Sequence, residues 1–196
     1  MTEVQSAPGE LELVRQFVNT NDIDEGIENF ASPAQLGEWL ADHGLEIPGK
    51  LTARDVERAI ALREALRALL LANAGEPLEP EAIEQLNESA GRIRLLVHFD
   101  PEGSSTLDSE KGGIECALGE ILAIVHRSMS EGTWSRLKSC LADSCQWAFY
   151  DQSKNRSAHW CSMAVCGNRA KARAYRNRHA KRGKRTPAPL GKGRRS

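Results

Sequence analysis

The residues best suited to chemistry are four cysteines that fall within 27 residues of one another. They form two pairs with the same internal spacing, Cys140-x4-Cys145 and Cys161-x4-Cys166, and 15 residues separate the pairs. Structural zinc sites take four tetrahedral ligands, and two closely spaced cysteine pairs can meet at one ion. Four thiolates leave no coordination position for water. The pattern therefore predicts one Zn²⁺ ion with a structural role.

Other interpretations of these cysteines stay open at this point. Two disulfides would need an oxidising compartment, and coincidental buried thiols would contribute only packing. A redox or iron–sulfur centre is a further alternative, although x4 spacing is unusual for either. About 40 residues around the cysteines contain few large apolar side chains, and metal binding can supply the folding free energy that such a small core lacks. Zinc is therefore favoured.

A strand hairpin and a helix would position the two cysteine pairs. Residues 146–151 have strand-like aromatic side chains, residues 152–155 are polar and would turn, and residues 156–160 would return as the second strand. Ser162 can then cap a helix that holds Cys166 in its first turn. The order knuckle, hairpin and helix predicts a treble-clef zinc finger.

The predicted helix after Cys166 is strongly basic. Arg169, Arg173 and Arg176 have the i, i+4, i+7 spacing of one helix face. A cationic helix face of this width fits the major groove of DNA or follows phosphates. The alternative is a solvated face that pairs with acidic parts of the chain. The predicted nucleic-acid contacts, including two residues of the hairpin turn, are Lys154, Arg156, Arg169, Lys171, Arg173, Arg176 and Arg178.

Charge is distributed very unevenly along the chain. Residues 1–132 carry 10 Lys and Arg against 25 Asp and Glu, whereas residues 133–196 carry 16 against 2. The near-neutral net charge of −1 thus combines an acidic body with a basic end, an asymmetry typical of contact with a polyanion. We predict an acidic domain over 1–132, a zinc finger over 133–182 and a disordered basic tail over 183–196.

The first 132 residues show mostly helical periodicity with one interruption. An alternating apolar pattern within residues 92–99, followed by a turn at 100–103, predicts a β-hairpin that returns through 104–107. The apolar spacing elsewhere predicts helices over 11–18, 33–43, 52–72, 80–89 and 114–129. The predicted class is therefore α+β, a mainly helical N-terminal domain with a β-hairpin, followed by a small treble-clef-like zinc finger.

Two stretches carry a family resemblance. The sequence Trp147-x-Phe149-Tyr150-Asp151, followed by Trp160-Cys161-Ser162-Met163-Ala164-Val165-Cys166-Gly167-Asn168-Arg169, resembles the CGNR zinc finger of bacterial proteins. Upstream, Phe17-Val18-Asn19-Thr20 and the Trp39-Leu40-Ala41 helix resemble the ABATE-type domain that usually precedes this finger. The resemblance implies a stress-response transcription regulator, in which the finger binds DNA and the N-terminal domain senses a ligand. Dimerisation is the alternative role that we consider for the N-terminal domain. Gln146 departs from the pattern, because similar sequences often have a basic residue there.

The remaining expectations concern activity and location. The chain has no G-x-S-x-G, P-loop, dinucleotide fingerprint or His-Glu-x-x-His motif, so we expect no enzyme. Its N-terminus lacks the features of a signal peptide and it has no long apolar run, which predicts a cytoplasmic protein without membrane contact. Asn19, Thr20 and Trp39 could line a small-molecule pocket.

Two alternatives to a DNA-binding regulator stay open. One is an RNA- or ribosome-associated zinc protein, since phosphates are common to both nucleic acids. The other is an enzyme or interaction module in which the zinc finger is only structural. No heptad or interface patch is legible, so the sequence leaves the oligomeric state undetermined. A palindromic DNA target would require a dimer.

Overall fold

The computed structural model describes residues 6–45, 47–109 and 112–183 of the chain. The chain divides into two compact units, Met1–Cys161 and Ser162–Ser196.

The domain boundaries at residues 132 and 182 that the charge pattern indicated stay predictions. The predicted disordered tail, residues 183–196, lies outside the described residues apart from Gly183. Among the described residues, no helix combines the length and the apolar character that crossing a bilayer requires.

Helices dominate the first unit. Its helices are α1 (Leu11–Val18), α2 (Pro33–Asp42), α3 (Ala53–Asn73), α4 (Pro80–Ile93) and α5 (Ile114–Ser130). Its strands are β1 (Asn21–Asp22), β2 (Ile27–Glu28), β3 (Leu95–Phe99), β4 (Ser105–Ser109), β5 (Leu137–Ser139) and β6 (Ala148–Tyr150). The strands form three two-stranded antiparallel sheets, β1 with β2, β3 with β4 and β5 with β6. The predicted α+β class is confirmed.

Local sequence explains where the best-predicted helices begin. The Ser32 hydroxyl accepts a hydrogen bond from the Gln35 N–H at 3.3 Å, and Pro33 occupies the first helical position of α2. At the start of α3, the Asp55 carboxylate accepts hydrogen bonds from the N–H and the hydroxyl of Thr52, at 2.8 and 2.7 Å. These contacts satisfy backbone groups that a helix end leaves unpaired. Helices α2 and α3 therefore begin where the sequence predicts.

One hydrophobic core extends from α1 into the residues that follow α5. Phe17 of α1, Leu36 of α2, Leu66 of α3 and Ile121 of α5 are all fully buried in it. The same cluster contains residues from the 3₁₀ turn Trp134–Arg136 and from both strands of the third sheet: Trp134, Leu137 and Ala148. The β5–β6 sheet is therefore built onto the helical core.

The structure corrects two predicted elements. Helix α4 continues to Ile93 rather than ending near residue 89, and the alternating pattern begins as a strand only at Leu95. The buried Ile93 side chain anchors the end of this helix, and Arg94 reverses the chain with a left-handed φ of 53°. The predicted second strand of the finger, residues 156–160, is wrong, because β6 pairs instead with β5, which precedes the first cysteine pair.

The second unit begins with a single π-helical turn, Met163–Gly167, and continues as helix α6 (Asn168–Gly183). The Ser162 hydroxyl accepts a hydrogen bond from the Val165 N–H at 3.3 Å, which confirms the predicted cap. The Asn168 side chain donates to the Ala164 carbonyl at 3.1 Å, within the same turn. Cys166 therefore lies in the first turn of the helical segment, as predicted.

Candidate zinc centre and nucleic-acid surface

The sulfur atoms of Cys140, Cys145, Cys161 and Cys166 all lie within 4.8 Å of one another. The Sγ atoms of Cys145 and Cys161 are 3.7 Å apart. Zn–S bonds of about 2.3 Å in a tetrahedron place the sulfurs about 3.8 Å apart. The observed spacing therefore fits one zinc ion, and it is far too long for a disulfide bond of about 2.05 Å. The chain has a four-cysteine zinc-binding site, and its cofactor is one structural Zn²⁺ ion.

The acid–base properties of the thiols favour a bound cation. Hydrogen bonding from Cys145, and then from Cys161, lowers the pKa of Cys140 to about 2. The hydrogen bond between Cys145 and Cys140 raises the pKa of Cys145 to about 12. The hydrogen bond between Cys161 and Cys140 raises the pKa of Cys161 far above its usual range. A thiolate at one position therefore opposes ionisation of its neighbours. A dication removes this opposition, because it interacts favourably with every thiolate at once.

Backbone contacts shape the knuckle around the first cysteine pair. The Ala142 carbonyl accepts hydrogen bonds from the N–H groups of Cys145 and Gln146, at 2.7 and 3.1 Å. Gln146 has a left-handed φ of 48°, which turns the chain back toward β6. Its carbonyl accepts a hydrogen bond from the buried Arg67 guanidinium at 2.9 Å. Helix α3 therefore holds the end of the knuckle in place.

A buried ion pair orders the loop between β6 and the second cysteine pair. The Lys138 Nζ and the Asp151 Oδ2 are 2.8 Å apart, and both side chains are almost fully buried. Lys138 also donates to the carbonyls of Arg156 and Ala158, at 2.6 and 3.2 Å. The Asp151 carboxylate accepts the N–H groups of Ser153 and Ala158, both at 2.9 Å. The pair thus replaces the strand that was expected over residues 156–160.

Asp151 stays ionised in this environment. Burial by itself would raise the pKa of Asp151, but the hydrogen bonds from Lys138, Ser153 and Ala158 outweigh it and hold that pKa far below its usual range. In the sequence, Asp151 stands out only as part of a motif, and Lys138 has no predicted role. The sequence carries no signal for this pair, because it predicts no strand around Lys138 and Lys138 lies 13 residues before Asp151.

The sequence-predicted basic residues lie at the surface. Arg169, Lys171, Arg173, Arg176 and Arg178 are exposed on α6, in the second unit. Lys154 and Arg156 are exposed in the loop that the buried ion pair orders, in the first unit. Arg156 has a left-handed φ of 53°, and its main-chain carbonyl is bound by Lys138. Their role in holding nucleic acid stays a prediction.

The residues proposed for a ligand pocket make contacts within the fold. The Asn19 amide donates to the Ala148 carbonyl at 2.9 Å and accepts from the Ala148 N–H at 2.7 Å. The Thr20 hydroxyl donates to the Phe17 carbonyl at 2.8 Å. The Trp39 ring stacks on His43 with 4.0 Å between ring centroids. Each side chain has a structural use here, and ligand binding by Asn19, Thr20 and Trp39 stays a prediction.

Comparison with known families agrees with this architecture. Residues 136–179 match the family model described as "CGNR zinc finger". Residues 11–129 match the family model described as "Putative stress-induced transcription regulator", named ABATE. No curated protein matches the chain significantly. The ABATE match covers more than half of the chain and the zinc-finger match contains all four clustered cysteines, so the chain belongs to the ABATE family and carries a C-terminal CGNR zinc finger.

Proposed function

We propose that this protein is a DNA-binding transcription regulator whose zinc finger presents helix α6 to the duplex. One observation carries the proposal, namely that an exposed basic helix begins two residues after the zinc ligand Cys166. Residues 168–183 contain five arginines and two lysines and no acidic residue. A metal-anchored helix of this charge suits a groove lined by phosphates.

The zinc ion in this proposal has a structural role only. Four cysteine sulfurs complete its tetrahedral shell, so no position is left where the metal could activate a water molecule. Its chemistry is to neutralise the thiolates and fix the knuckle. We propose accordingly that the protein is a regulator rather than an enzyme, and that the ABATE region supports the finger.

The salt dependence of DNA binding tests the proposal on the full-length, zinc-loaded protein. Fluorescence anisotropy with a random-sequence duplex should give an affinity that falls steeply as salt rises, because binding releases counterions from DNA. Replacing Arg176 and Arg178 by Gln should lower the slope of log K against log salt by about 2, roughly one unit for each lost phosphate contact. Both side chains are exposed, so the fold should be unaffected.

A matched control removes two positive charges from another part of the protein surface. Arg54 and Arg92 are exposed arginines on α3 and α4, and their replacement by Gln should leave the slope unchanged. An equal decrease in the salt slope of the two double variants would contradict DNA binding by α6, because the total charge of the protein would then explain the binding. Competition with structured RNA separates the alternatives, and preferential displacement by RNA would replace the DNA proposal by an RNA-binding one.

A further inference from the structure

The β3–β4 hairpin exposes an unusual amount of apolar surface. Val97 is 56% exposed and Phe99 is 77% exposed, and Leu96 beside them is 43% exposed. Strand β3 has β4 as its only sheet partner in the described part of the chain, so its other edge is a free sheet edge. Soluble proteins normally protect such an edge with Lys, Pro or a bulge, and β3 contains neither Lys nor Pro.

The turn of the hairpin determines which backbone groups point outward from β3. The Asp100 N–H donates to the Ser104 carbonyl at 3.0 Å, which makes Asp100 and Ser104 a hydrogen-bonded pair. Hydrogen-bonded and non-hydrogen-bonded pairs alternate along an antiparallel ladder. Given the register Phe99↔Ser105, Val97↔Leu107 and Leu95↔Ser109, the N–H and C=O groups of Leu95, Val97 and Phe99 point away from β4. These are the groups that a further strand would bind.

The sequence of this edge is complementary to itself in antiparallel orientation. If a second β3 lies alongside with Val97 opposite Val97, Leu95 faces Phe99 and Leu96 faces His98. The pairing also places outward-pointing backbone groups opposite each other, and each such residue pair can exchange two hydrogen bonds.

We propose that the protein forms a two-fold symmetric dimer through antiparallel pairing of β3 with β3 of a second copy. The two hairpins then form one four-stranded sheet. Because Leu95, Val97 and Phe99 alternate with their neighbours, they share one face of this sheet, and the partner's identical residues continue the same face. The exposed apolar side chains of one copy thus gain apolar neighbours from the other.

Helix α5 limits how the shared face can be covered. A Cβ atom on Gly119 would lie 3.0 Å from Ile93 Cγ2 and 3.3 Å from Leu95 Cδ2, so α5 packs closely beneath the Leu95 end of the strand. The Phe99 end extends beyond this support and is exposed. In the dimer, Phe99 lies opposite Leu95 of the second copy, at the end that a helix already supports. The register therefore places the least covered residue of one copy beside the best covered part of the other.

These observations favour a second copy of this chain, and not an unrelated strand, as the partner of the free β3 edge. An unrelated peptide would satisfy the same backbone groups, but a second copy also brings its α5-supported Leu95 beside Phe99, the most exposed apolar residue of β3. Two-fold symmetry makes this Leu95–Phe99 contact twice, once at each end of the paired strands. The dimer does not depend on the proposed DNA binding. Where both hold, two fingers related by a two-fold axis would recognise an inverted repeat.

Light scattering coupled to size-exclusion chromatography tests the pairing on the full-length, zinc-loaded protein. The wild-type chain should give a mass near twice the 21.6 kDa of one chain, with dissociation on dilution. Val97→Pro removes an N–H that points away from β4, so it should give monomers while the hairpin itself persists. Phe99→Glu should also give monomers, because it places a carboxylate beside apolar side chains of the second copy.

Ser105→Pro is the matched control. The Ser105 N–H also points away from its hairpin partner, but it lies on the opposite edge, and this variant should remain dimeric. Circular dichroism and zinc content confirm that each variant is folded. A monomeric wild-type protein at every concentration would overturn the proposal. So would a dimer that survives both Val97→Pro and Phe99→Glu, because another surface would then hold it together.

Discussion

The ion pair between Lys138 and Asp151 shows how single residues set the geometry of the finger. Its two side chains bind the main chain of the loop at Arg156, Ala158 and Ser153, and so lead the chain from β6 to Cys161. A buried charge without its partner is strongly destabilising, whereas the intact pair can be nearly neutral. The arrangement is therefore sensitive to loss of either member, and this sensitivity can be measured.

Replacing Asp151 by Asn should lower the free energy of unfolding by about 3–5 kcal/mol at neutral pH, because Lys138 is left buried and unpaired. The folded-state pKa of Asp151 lies below its unfolded value of about 3.9. Its contribution is therefore fully present above that unfolded value and is lost as pH falls through the folded value. Denaturant titrations across pH should show the difference between wild type and variant shrinking below about pH 4.

The double variant Lys138→Met, Asp151→Asn tests whether the loss of stability in Asp151→Asn comes from the unpaired charge of Lys138. Removing both charges leaves no unpaired ion, so the double variant should be less destabilised at neutral pH than Asp151→Asn alone. Zinc release in acid also lowers stability, so the three proteins are compared at the same pH and zinc concentration, and zinc content is measured at each pH. A loss below about 1 kcal/mol for Asp151→Asn at neutral pH would contradict the buried-pair interpretation.

At the scale of elements, a side chain takes the place of a neighbouring strand. Asn19, just after α1, donates to and accepts from the peptide groups of Ala148 in β6. Its amide therefore provides the same two bonds that a strand residue would supply on the free side of the β5–β6 sheet. Ala148 is fully buried, so water cannot replace these bonds. This contact joins the end of α1 to the finger's sheet.

Replacing Asn19 by Ala should destabilise the protein by about 2–4 kcal/mol, because it removes the Asn19 bonds to two buried backbone groups. Urea denaturation followed by circular dichroism measures this change. Asn29, which is exposed, provides the control, and Asn29→Ala should have an effect below about 0.5 kcal/mol. Equal effects of the two substitutions would show that the Asn19 contact contributes little.

The helices were predictable because their signals are local, and the finger's sheet was not. Caps at Ser32 and Thr52 and apolar spacing identified α2 and α3 from neighbouring residues alone. The pairing of β5 with β6 joins segments on either side of the first cysteine pair, and each strand has only three residues. Such short strands carry almost no periodicity, so the sequence does not show that β6 pairs with a segment before the first cysteine pair.

The same contrast holds for the zinc site. Its ligands were legible because four cysteines in two equal pairs are a chemical pattern that sequence displays directly. The contacts that hold the site were not legible, since Arg67 reaches the Gln146 carbonyl from 79 residues away. A long-range contact between a side chain and a backbone carbonyl depends on the fold and leaves no spacing to detect.

At the scale of the whole molecule, the first half of the zinc finger belongs to the same compact unit as the ABATE helices. The core that contains Phe17 and Leu66 also contains Trp134, Leu137 and Ala148. The Asn73 side chain of α3 donates to the carbonyls of Trp134 and Leu137, at 3.0 and 2.9 Å. The ABATE helices therefore share their core with residues beyond 132, the position at which the charge of the chain changes from acidic to basic.

A chain truncated after residue 132 should consequently fail to unfold cooperatively, whereas one truncated after residue 161 should retain a cooperative transition. The shorter chain loses the buried Trp134, Leu137 and Ala148. Removing one large core side chain costs about 3–5 kcal/mol, and the total stability of a domain is about 5–15 kcal/mol. Calorimetry measures both transitions. Equally stable, cooperative transitions in both chains would contradict the shared core and would support an independent ABATE domain ending at the predicted boundary.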